Sequence, residues 1–215
     1  LSAIDFVMTE AKIAKILLET RAVKLSPNKP FKWSSGWNSP IYCDNRTVLS
    51  FAEHRKTIKR MMSERITKLF PEADAIIGVA TAGIAMGALI ADEMDLSYAY
   101  CRPKPKEHGL QRQLEGQMDK KAKIVVIEDL ISTGGSSLKV VEYLRNEGYD
   151  VLGMAAIFTY GFDLADQNFK NADCKYFTLG NYASLINEAL LENYIKQEDL
   201  EALNAWREDP ENWGN

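Results

Sequence analysis

Residues 124–137 read IVVIEDLISTGGSS, and this stretch decides the fold. Its four consecutive aliphatic residues predict a strand over residues 123–127 that is covered on both faces, as in a parallel sheet. Two carboxylates, Glu128 and Asp129, come next, followed by a loop of small residues and a helix that begins at Ser136. The order of strand, glycine-rich loop and helix is typical of α/β proteins, which bind ligands at the carboxyl ends of parallel strands.

The small residues after the strand predict a binding site for a phosphate group. Backbone N–H groups at a helix N-terminus are unpaired and lie at the positive end of the helix dipole. Gly134 and Gly135 would let an anion approach the backbone closely. Hydroxyl groups are available on Ser132, Thr133, Ser136 and Ser137. The same pattern also fits an ordinary strand–helix turn with polar caps.

The two acids before the loop indicate which other part of the ligand is recognised. A carboxylate beside a phosphate would repel it, unless the carboxylate addresses a different group. Ionised carboxylates accept hydrogen bonds from the vicinal hydroxyls of a ribose. We therefore expect a ribose 5-phosphate unit, with its hydroxyls on Glu128 and Asp129. The loop has neither the Walker A pattern nor G-x-G-x-x-G, which excludes those two nucleotide-binding motifs.

Helices and strands alternate on both sides of this stretch. Helices are predicted over residues 2–19, 51–69, 83–93 and 136–147, and a further helix begins at Asn181. Strands are predicted over residues 75–79, 97–101, 123–127 and 151–158. Residues 31–45, rich in aromatic, Ser, Gly and Pro residues, predict irregular chain or short strands. The alternation predicts a parallel β-sheet flanked by helices, with right-handed crossovers.

The composition is that of a globular protein and disfavours several functions. The chain has 215 residues, of which 46% are hydrophobic and 26% charged. The net charge of −4 disfavours a globally basic nucleic-acid binder. No apolar run approaches the roughly 20 residues of a membrane helix. Cys43, Cys101 and Cys174 are far apart, which excludes a C-x-x-C motif, fits reduced thiols and leads us to expect a cytoplasmic protein.

Two segments carry an uneven charge. Residues 102–123 hold seven basic residues against three acids, together with His108. Proline and glycine residues interrupt this segment, so it predicts a long, basic, mobile loop, although a merely solvated loop would look the same. Residues 186–215 hold eight acids against two bases and predict a solvated helical tail.

Residues 126–137 resemble the phosphoribosyl diphosphate (PRPP) signature of the type I phosphoribosyltransferases, in which aliphatics, two acids, two aliphatics and small residues follow one another. The resemblance implies that family's parallel sheet with flanking helices and a small N-terminal hood. It divides one structural domain into a hood segment (1–50), a core (51–190) and an acidic C-terminal helical tail (191–215). It implies a PRPP site at Glu128, Asp129, Leu130, Ile131, Ser132, Thr133, Gly134, Gly135 and Ser136.

Residues 78–85, GVATAGIA, resemble the family's second loop, which binds pyrophosphate through backbone amides. This implies further PRPP contacts at Thr81, Ala82 and Gly83. A tight strand–helix connection with small residues for packing is the alternative. Many family members carry a lysine where this chain has Ala82, so we expect the basic loop to supply more of the positive charge.

Residues 102–109, RPKPKEHG, are similar to the mobile catalytic loop of the orotate phosphoribosyltransferase family, with its spacing Arg-x-x-x-Lys-x-His-Gly. The similarity implies that Arg102 and Lys106 meet the departing pyrophosphate and that His108 donates a proton, with Asp129 completing the catalytic set. Cationic donors stabilise the charge that develops on a leaving group, and a lid excludes water that would hydrolyse the cationic sugar.

Residues 31–46, FKWSSGWNSPIYCDNR, resemble the hood segment that lines the base site in the orotate family. This implies an orotate-binding set of Tyr42, Cys43, Arg46 and Ser132. Tyr42 would stack on the planar pyrimidine. Arg46 is the candidate partner of the orotate carboxylate, because Ser34 stands where other members have lysine. The tryptophans of this segment equally fit a role in the hood core.

The resemblance implies transfer of phosphoribose from PRPP to orotate, which gives orotidine 5′-monophosphate and pyrophosphate in UMP synthesis. It implies Mg²⁺ as cofactor, held mainly by PRPP with no direct protein ligand. It also implies a homodimer in which the mobile loop completes the partner's active site. A purine phosphoribosyltransferase, which would lack the Arg-x-x-x-Lys-x-His loop, and a non-catalytic PRPP-sensing regulator, which predicts a basic docking face, are the alternatives.

Overall fold

A computed structural model describes residues 3–33, 36–104 and 113–214. The described residues form two compact units. Unit 1 comprises the described parts of Leu1–Phe51 and Gly180–Asn215, and unit 2 those of Ala52–Leu179. These bounds differ from the predicted segments, because residues 180–190 group with the N-terminal segment and the tail rather than with the core.

The elements are numbered in chain order. The helices are α1 (Ala3–Glu19), α2 (Ala52–Leu69), α3 (Gly83–Met94), α4 (Gly135–Asn146), α5 (Asp163–Asn171), α6 (Tyr182–Leu191) and α7 (Leu200–Glu208). The strands are β1 (Val23–Leu25), β2 (Phe31–Lys32), β3 (Asn38–Ser39), β4 (Ile41–Cys43), β5 (Ala75–Val79), β6 (Ser97–Cys101), β7 (Leu114–Glu115), β8 (Lys123–Ile131), β9 (Asp150–Thr159) and β10 (Tyr176–Asn181). Two short 3-10 helices span Asn45–Ser50 and Gln197–Asp199.

Unit 2 is built on a six-stranded sheet in the order β10-β9-β8-β5-β6-β7. The strands β9, β8, β5 and β6 are parallel, and β7 adds an antiparallel edge. The register pairs Gly78 with Ile127 and Val79 with Cys101, so β5, β6 and β8 deliver their carboxyl ends to one edge. The predicted parallel sheet flanked by helices is confirmed.

The core explains why the central strands show no alternation. All five residues of β5 are buried, as are residues 124–128 of β8. Val140, Val141 and Leu144 of α4 are also buried and belong to the same apolar cluster as β5 and β8. A strand covered on both faces must be apolar at every position, which is what the aliphatic run predicts.

The strand β8 extends beyond its predicted end. Leu130 pairs with Phe158 and Ile131 with Thr159, so the two acids and the next two aliphatics belong to the strand. The loop shrinks to Ser132–Gly134, and α4 begins at Gly135. The long neighbouring strand β9 supplies this pairing partner. The elements α5 and β10 were not predicted.

Unit 1 joins the first and last parts of the chain. Short antiparallel pairs, β1 with β4 and β2 with β3, confirm the short strands predicted for residues 31–45. Asn181 begins α6 as predicted, in a capping box with Ser184, and its side-chain amide donates to Glu10 of α1 at 2.6 Å. Within the described ranges, no helix has the length and apolar character needed to cross a membrane.

The acidic tail is not simply a solvated helix, as its charge predicts. Leu203 and Trp206 on α7 are both 0% exposed. The Trp206 ring lies edge-on to Trp33, with ring centroids 5.6 Å apart, and 5.4 Å from Tyr182. The tail therefore supplies part of the core of unit 1, and the acids occupy its outer face.

Replacing Trp206 by alanine should lower the free energy of unfolding by about 3–5 kcal/mol, because a large ring is lost from a closed core. Urea unfolding followed by circular dichroism measures the change. Trp213→Ala, at a partly exposed tryptophan of the same segment, should cost clearly less. Equal costs for the two substitutions would contradict the assignment of Trp206 to the core.

Candidate active site

Two loops follow the carboxyl ends of the neighbouring parallel strands β5 and β8. A Cβ atom on Gly83 would lie 2.3 Å from the carbonyl oxygen of Ile127, and one on Gly78 would lie 2.6 Å from the carbonyl oxygen of Gly83. Both positions therefore require glycine. The two glycines thus serve close packing, which is the alternative that the sequence left open, and they hold the start of α3 against β5 and β8.

The first loop offers its backbone to the outside. Thr81 is exposed and Ala82 is half-buried, whereas Gly83 is buried against β8. The Ala80 N–H donates to the carbonyl oxygen of Cys101 at 2.8 Å, which ties the loop to the end of β6. Pyrophosphate contacts at Thr81, Ala82 and Gly83 stay a prediction.

The second loop places a short turn in front of α4. Gly134 has φ +78°, a conformation that L side chains rarely adopt, and its Cβ would lie 2.6 Å from the Phe169 ring. Because Gly134 has no side chain that could cap α4, the N–H groups of the first turn stay available to an anion. Ser132 and Thr133 are half-buried, while Gly135 and Ser136 are exposed.

Strand β9 holds the start of this loop. The Thr159 hydroxyl donates to the carbonyl oxygen of Ile131 at 3.0 Å, and the Gly161 N–H donates to that hydroxyl oxygen at 3.0 Å. Ile131 is fully buried and Leu130 is half-buried within the strand. The Ile131 side chain therefore belongs to the core, although both residues were assigned to the PRPP site.

The two acids occupy different environments. Glu128 is 7% exposed, and its carboxyl accepts hydrogen bonds from the Ser137 hydroxyl at 2.9 Å and the Asp129 N–H at 3.1 Å. Burial, and to a smaller extent the neighbouring Asp129 charge, raise the pKa of Glu128 to about 8. Asp129 is half-buried. The raised pKa favours the protonated form of Glu128 in the absence of ligand, and the contacts of both acids with a ribose stay a prediction.

Arg102 lies directly after β6, at the edge where β5 and β8 also end. Its Nε lies 3.4 Å from Glu115 Oε1 on β7, and its guanidinium lies over the Tyr100 ring, 5.8 Å from the centroid. Its N–H donates to the carbonyl oxygen of Gln113 at 2.9 Å. Lys106 and His108, the other cations of the predicted loop, lie outside the described residues.

The residues predicted to bind orotate are divided between the two units. Tyr42, Cys43 and Arg46 belong to unit 1 and Ser132 belongs to unit 2. Tyr42 is 43% exposed, which leaves its ring accessible for stacking. The Cys43 thiol donates to the Asn45 side-chain oxygen at 3.3 Å.

Arg46, the candidate partner of the orotate carboxylate, already has a partner in its own unit. Its guanidinium donates to both carboxylate oxygens of Asp44, at 2.7 and 2.9 Å, and these hydrogen bonds lower the pKa of Asp44. A ligand carboxylate would have to compete with this pair. Ser34, which stands where other family members have lysine, lies outside the described residues.

Sequence reasoning missed two residues that hold the site, Asn168 and Phe169, and gave the Ser137 hydroxyl to the phosphate. Ser137 is 2% exposed, so its role is to orient Glu128 rather than to meet an anion. Asn168 and Phe169 reach the second loop from α5. The signal available for α5 was its buried pair Ala165 and Phe169, four residues apart on one helix face.

Among the residues that the structure describes, no group of three or more His, Cys, Asp or Glu side chains is placed to hold a metal ion. Asp129 is the half-exposed carboxylate at the end of β8. One carboxylate with substrate oxygens and water suits Mg²⁺, which keeps much of its hydration shell.

Comparison with known proteins gives consistent matches. Residues 48–186 match the phosphoribosyl transferase domain family. An orotate phosphoribosyltransferase from Cytophaga hutchinsonii is 55% identical over 202 residues, which cover 94% of this chain and 97% of that protein. One from Porphyromonas gingivalis is 52% identical, covering 94% and 96%. The crystal structure of orotate phosphoribosyltransferase from Aeropyrum pernix has a TM-score of 0.74 at 27% identity, covering 86% of this chain and 99% of that one.

Alanine at the two adjacent glycines of the second loop should have opposite effects on stability. Gly134→Ala should lower the free energy of unfolding by about 2 kcal/mol or more, because it combines positive φ with a clash against Phe169. Gly135→Ala meets only the Thr133 hydroxyl at 3.9 Å. In the first turn of α4 it should be neutral or stabilise by up to about 1 kcal/mol. Urea unfolding measures both, and equal destabilisation would refute the described loop geometry.

Glu128 should make stability fall as the pH rises. In the folded protein the pKa of Glu128 is about 8, whereas its usual value is 4.5. The contribution of the raised pKa to the free energy of unfolding is therefore complete below pH 4.5 and is lost as the pH rises to about 8. Urea unfolding at about pH 5 and about pH 8 should therefore show Glu128→Gln gaining stability relative to the native chain at the higher pH. Glu142→Gln, at an exposed position of α4, controls for the loss of one carboxyl group. If the difference in free energy of unfolding between Glu128→Gln and the native chain were the same at both pH values, a buried, protonated Glu128 would be contradicted.

Proposed function

We infer that this chain, which belongs to the orotate phosphoribosyltransferase family, transfers the 5-phosphoribosyl group of PRPP to orotate. The products are orotidine 5′-monophosphate and pyrophosphate, a step of UMP synthesis. The geometry that supports the inference is the parallel pairing of β5 and β8, which brings the loops that follow the two strands to the same edge of the sheet. PRPP carries a phosphate on C5 and a pyrophosphate on C1 of one ribose, and two neighbouring anion-binding loops match that arrangement.

Different residues of unit 2 bind different parts of PRPP. The Ser132–Gly134 loop and the first turn of α4 bind the 5-phosphate through backbone N–H groups. Asp129 accepts hydrogen bonds from the ribose hydroxyls. Glu128, held by Ser137, sits behind Asp129 as a neutral group and so does not add a second negative charge.

The reaction breaks the bond between C1 of the ribose and a pyrophosphate oxygen, and forms a bond from C1 to a ring nitrogen of orotate. Negative charge grows on the departing pyrophosphate. The amides of Thr81, Ala82 and Gly83 and the cations Arg102 and Lys106 stabilise that charge, and His108 supplies a proton. Glu115 holds Arg102 at the end of β6 until the anion arrives.

Magnesium is proposed to enter with PRPP. The ion would neutralise pyrophosphate charge when bound, and would be held mainly by PRPP oxygens and water without a direct protein ligand. A cytoplasmic location is also proposed, which the free cysteines Cys43, Cys101 and Cys174 support. In unit 1, Tyr42 is proposed to stack on orotate, with Cys43 and Arg46 beside it.

An activity assay over a panel of bases tests the function. Purified protein with PRPP and Mg²⁺ should consume orotate, measured by its ultraviolet absorbance, and should leave adenine and guanine unchanged. Addition of EDTA should abolish turnover, and excess Mg²⁺ should restore it. Turnover of a purine without turnover of orotate would identify a purine phosphoribosyltransferase, and PRPP binding without any turnover would identify a regulator.

A homodimer with shared active sites predicts recovery of activity in mixed dimers. Lys106→Ala and Asp129→Asn should each be inactive alone, one lacking a loop cation and the other a ribose-binding carboxylate. In a hybrid dimer the intact loop of one subunit can serve the intact ribose site of the other, so one of its two active sites works. Random exchange makes about half of the dimers hybrid, so up to about a quarter of the native activity should return. Subunit exchange is verified by two affinity tags. Exchange without recovery would mean that the loop serves its own subunit.

A further inference from the structure

Helix α5 is connected to the Ser132–Gly134 loop by a hydrogen bond from one side chain, Asn168. The Asn168 amide Nδ2 donates to the carbonyl oxygen of Thr133 at 2.9 Å. Thr133 is the middle residue of the Ser132–Gly134 loop, so this hydrogen bond acts on the loop itself rather than on its flanking elements. Asn168 is half-buried and lies in unit 2, as does the loop.

This hydrogen bond fixes the orientation of one peptide group. The Thr133 carbonyl and the Gly134 N–H belong to the same planar trans peptide, in which the C=O and N–H bonds point in opposite directions. Because the carbonyl is held toward α5, the Gly134 N–H is directed away from α5. Glycine at positive φ has a low barrier to other conformations, so the loop backbone alone would not select this orientation.

The position of Asn168 is itself well determined. Its neighbour Phe169 is 1% exposed, stacks on Tyr176 with ring centroids 4.1 Å apart, and packs against Gly134. The Tyr176 hydroxyl donates to the Asp166 carboxylate on the same helix. These contacts anchor the face of α5 next to the loop, so the Asn168 amide is presented by a fixed helix face.

We propose that Asn168 is a positioning residue for the 5-phosphate, which turns the Gly134 N–H toward the anion by holding the Thr133 carbonyl. Asn168 does not touch the substrate. It prepares a donor before binding, so the protein does not have to reorient the peptide when the phosphate arrives. The 5-phosphate assignment rests on the proposed function, whereas the effect on any phosphate bound at this loop does not.

The decisive variant is Asn168→Asp, which keeps the shape of the side chain and replaces the N–H donor by a carboxylate oxygen that repels the Thr133 carbonyl. Its dissociation constants for ribose 5-phosphate and orotidine 5′-monophosphate, measured by calorimetry, should rise about tenfold or more. Binding of pyrophosphate, which has no 5-phosphate, should change less than about threefold. The KM for PRPP should rise with those constants, and kcat should change much less.

Asn171→Asp is the matched control for charge. Asn171 is exposed on the same helix. Like Asn168, it lines a groove of about 520 Å³ beside Gly135, but it has no described hydrogen bond to the loop. It should leave all the constants within about twofold of native, since a charge in water is screened. Asn168→Ala, which removes the donor without adding charge, decides the matter if Asn168→Asp does not fold, and should weaken ribose 5-phosphate binding about fivefold.

The outcomes separate this inference from the proposed function. Weakened ribose 5-phosphate binding in the Asn168 variants supports the inference even if the native protein does not turn over orotate, in which case the proposed function fails alone. Native orotate turnover together with Asn168 variants that bind like Asn171→Asp would leave the function standing and overturn the inference. Equal weakening of ribose 5-phosphate and pyrophosphate binding would also overturn it, because that result indicates general damage to unit 2.

Discussion

The closest approach at the site is between the backbone of Gly83 and the carbonyl oxygen of Ile127, where there is no room for even a methyl group. This contact packs the start of α3 against the middle of β8, so the helix is placed on the sheet by backbone atoms rather than by flexible side chains. The loop before α3 is thereby placed next to β8 by close packing of the backbone. The need for glycine at position 83 follows from this constraint.

The electrostatic design of the site follows from burial. A second exposed carboxylate beside Asp129 would weaken binding of a polyanionic ligand. The structure avoids this by withdrawing Glu128 from water and satisfying it with Ser137 and a backbone N–H. Burial raises the pKa of Glu128, so the two acids of the pair stand in different electrostatic environments.

The sequence was informative where local chemistry determines structure. The aliphatic run of β8 and the glycines after it predicted a parallel sheet with an anion-binding loop, since few other arrangements suit those residues. The sequence was less informative where the structure of a segment depends on contacts with residues far away in the chain. The end of β8 depends on pairing with Thr159 of β9, and the roles of Trp206 and Asn168 depend on elements that no local pattern connects to them. Likewise, the protonation of Glu128 depends on burial, which residue types alone do not determine.

The composition of unit 1 has a consequence for how the chain is made. Its core brings Trp33, near the start of the chain, against Trp206, far along it, while unit 2 is formed entirely from the residues between. A ribosome produces Trp33 first, but the rings that enclose it emerge only after the whole of unit 2 has been synthesised. Unit 2 can thus complete its sheet during translation, whereas unit 1 must close afterwards over a long chain separation. A chain that stops before α7 would carry the assembled sheet and loops of unit 2 without a finished unit 1.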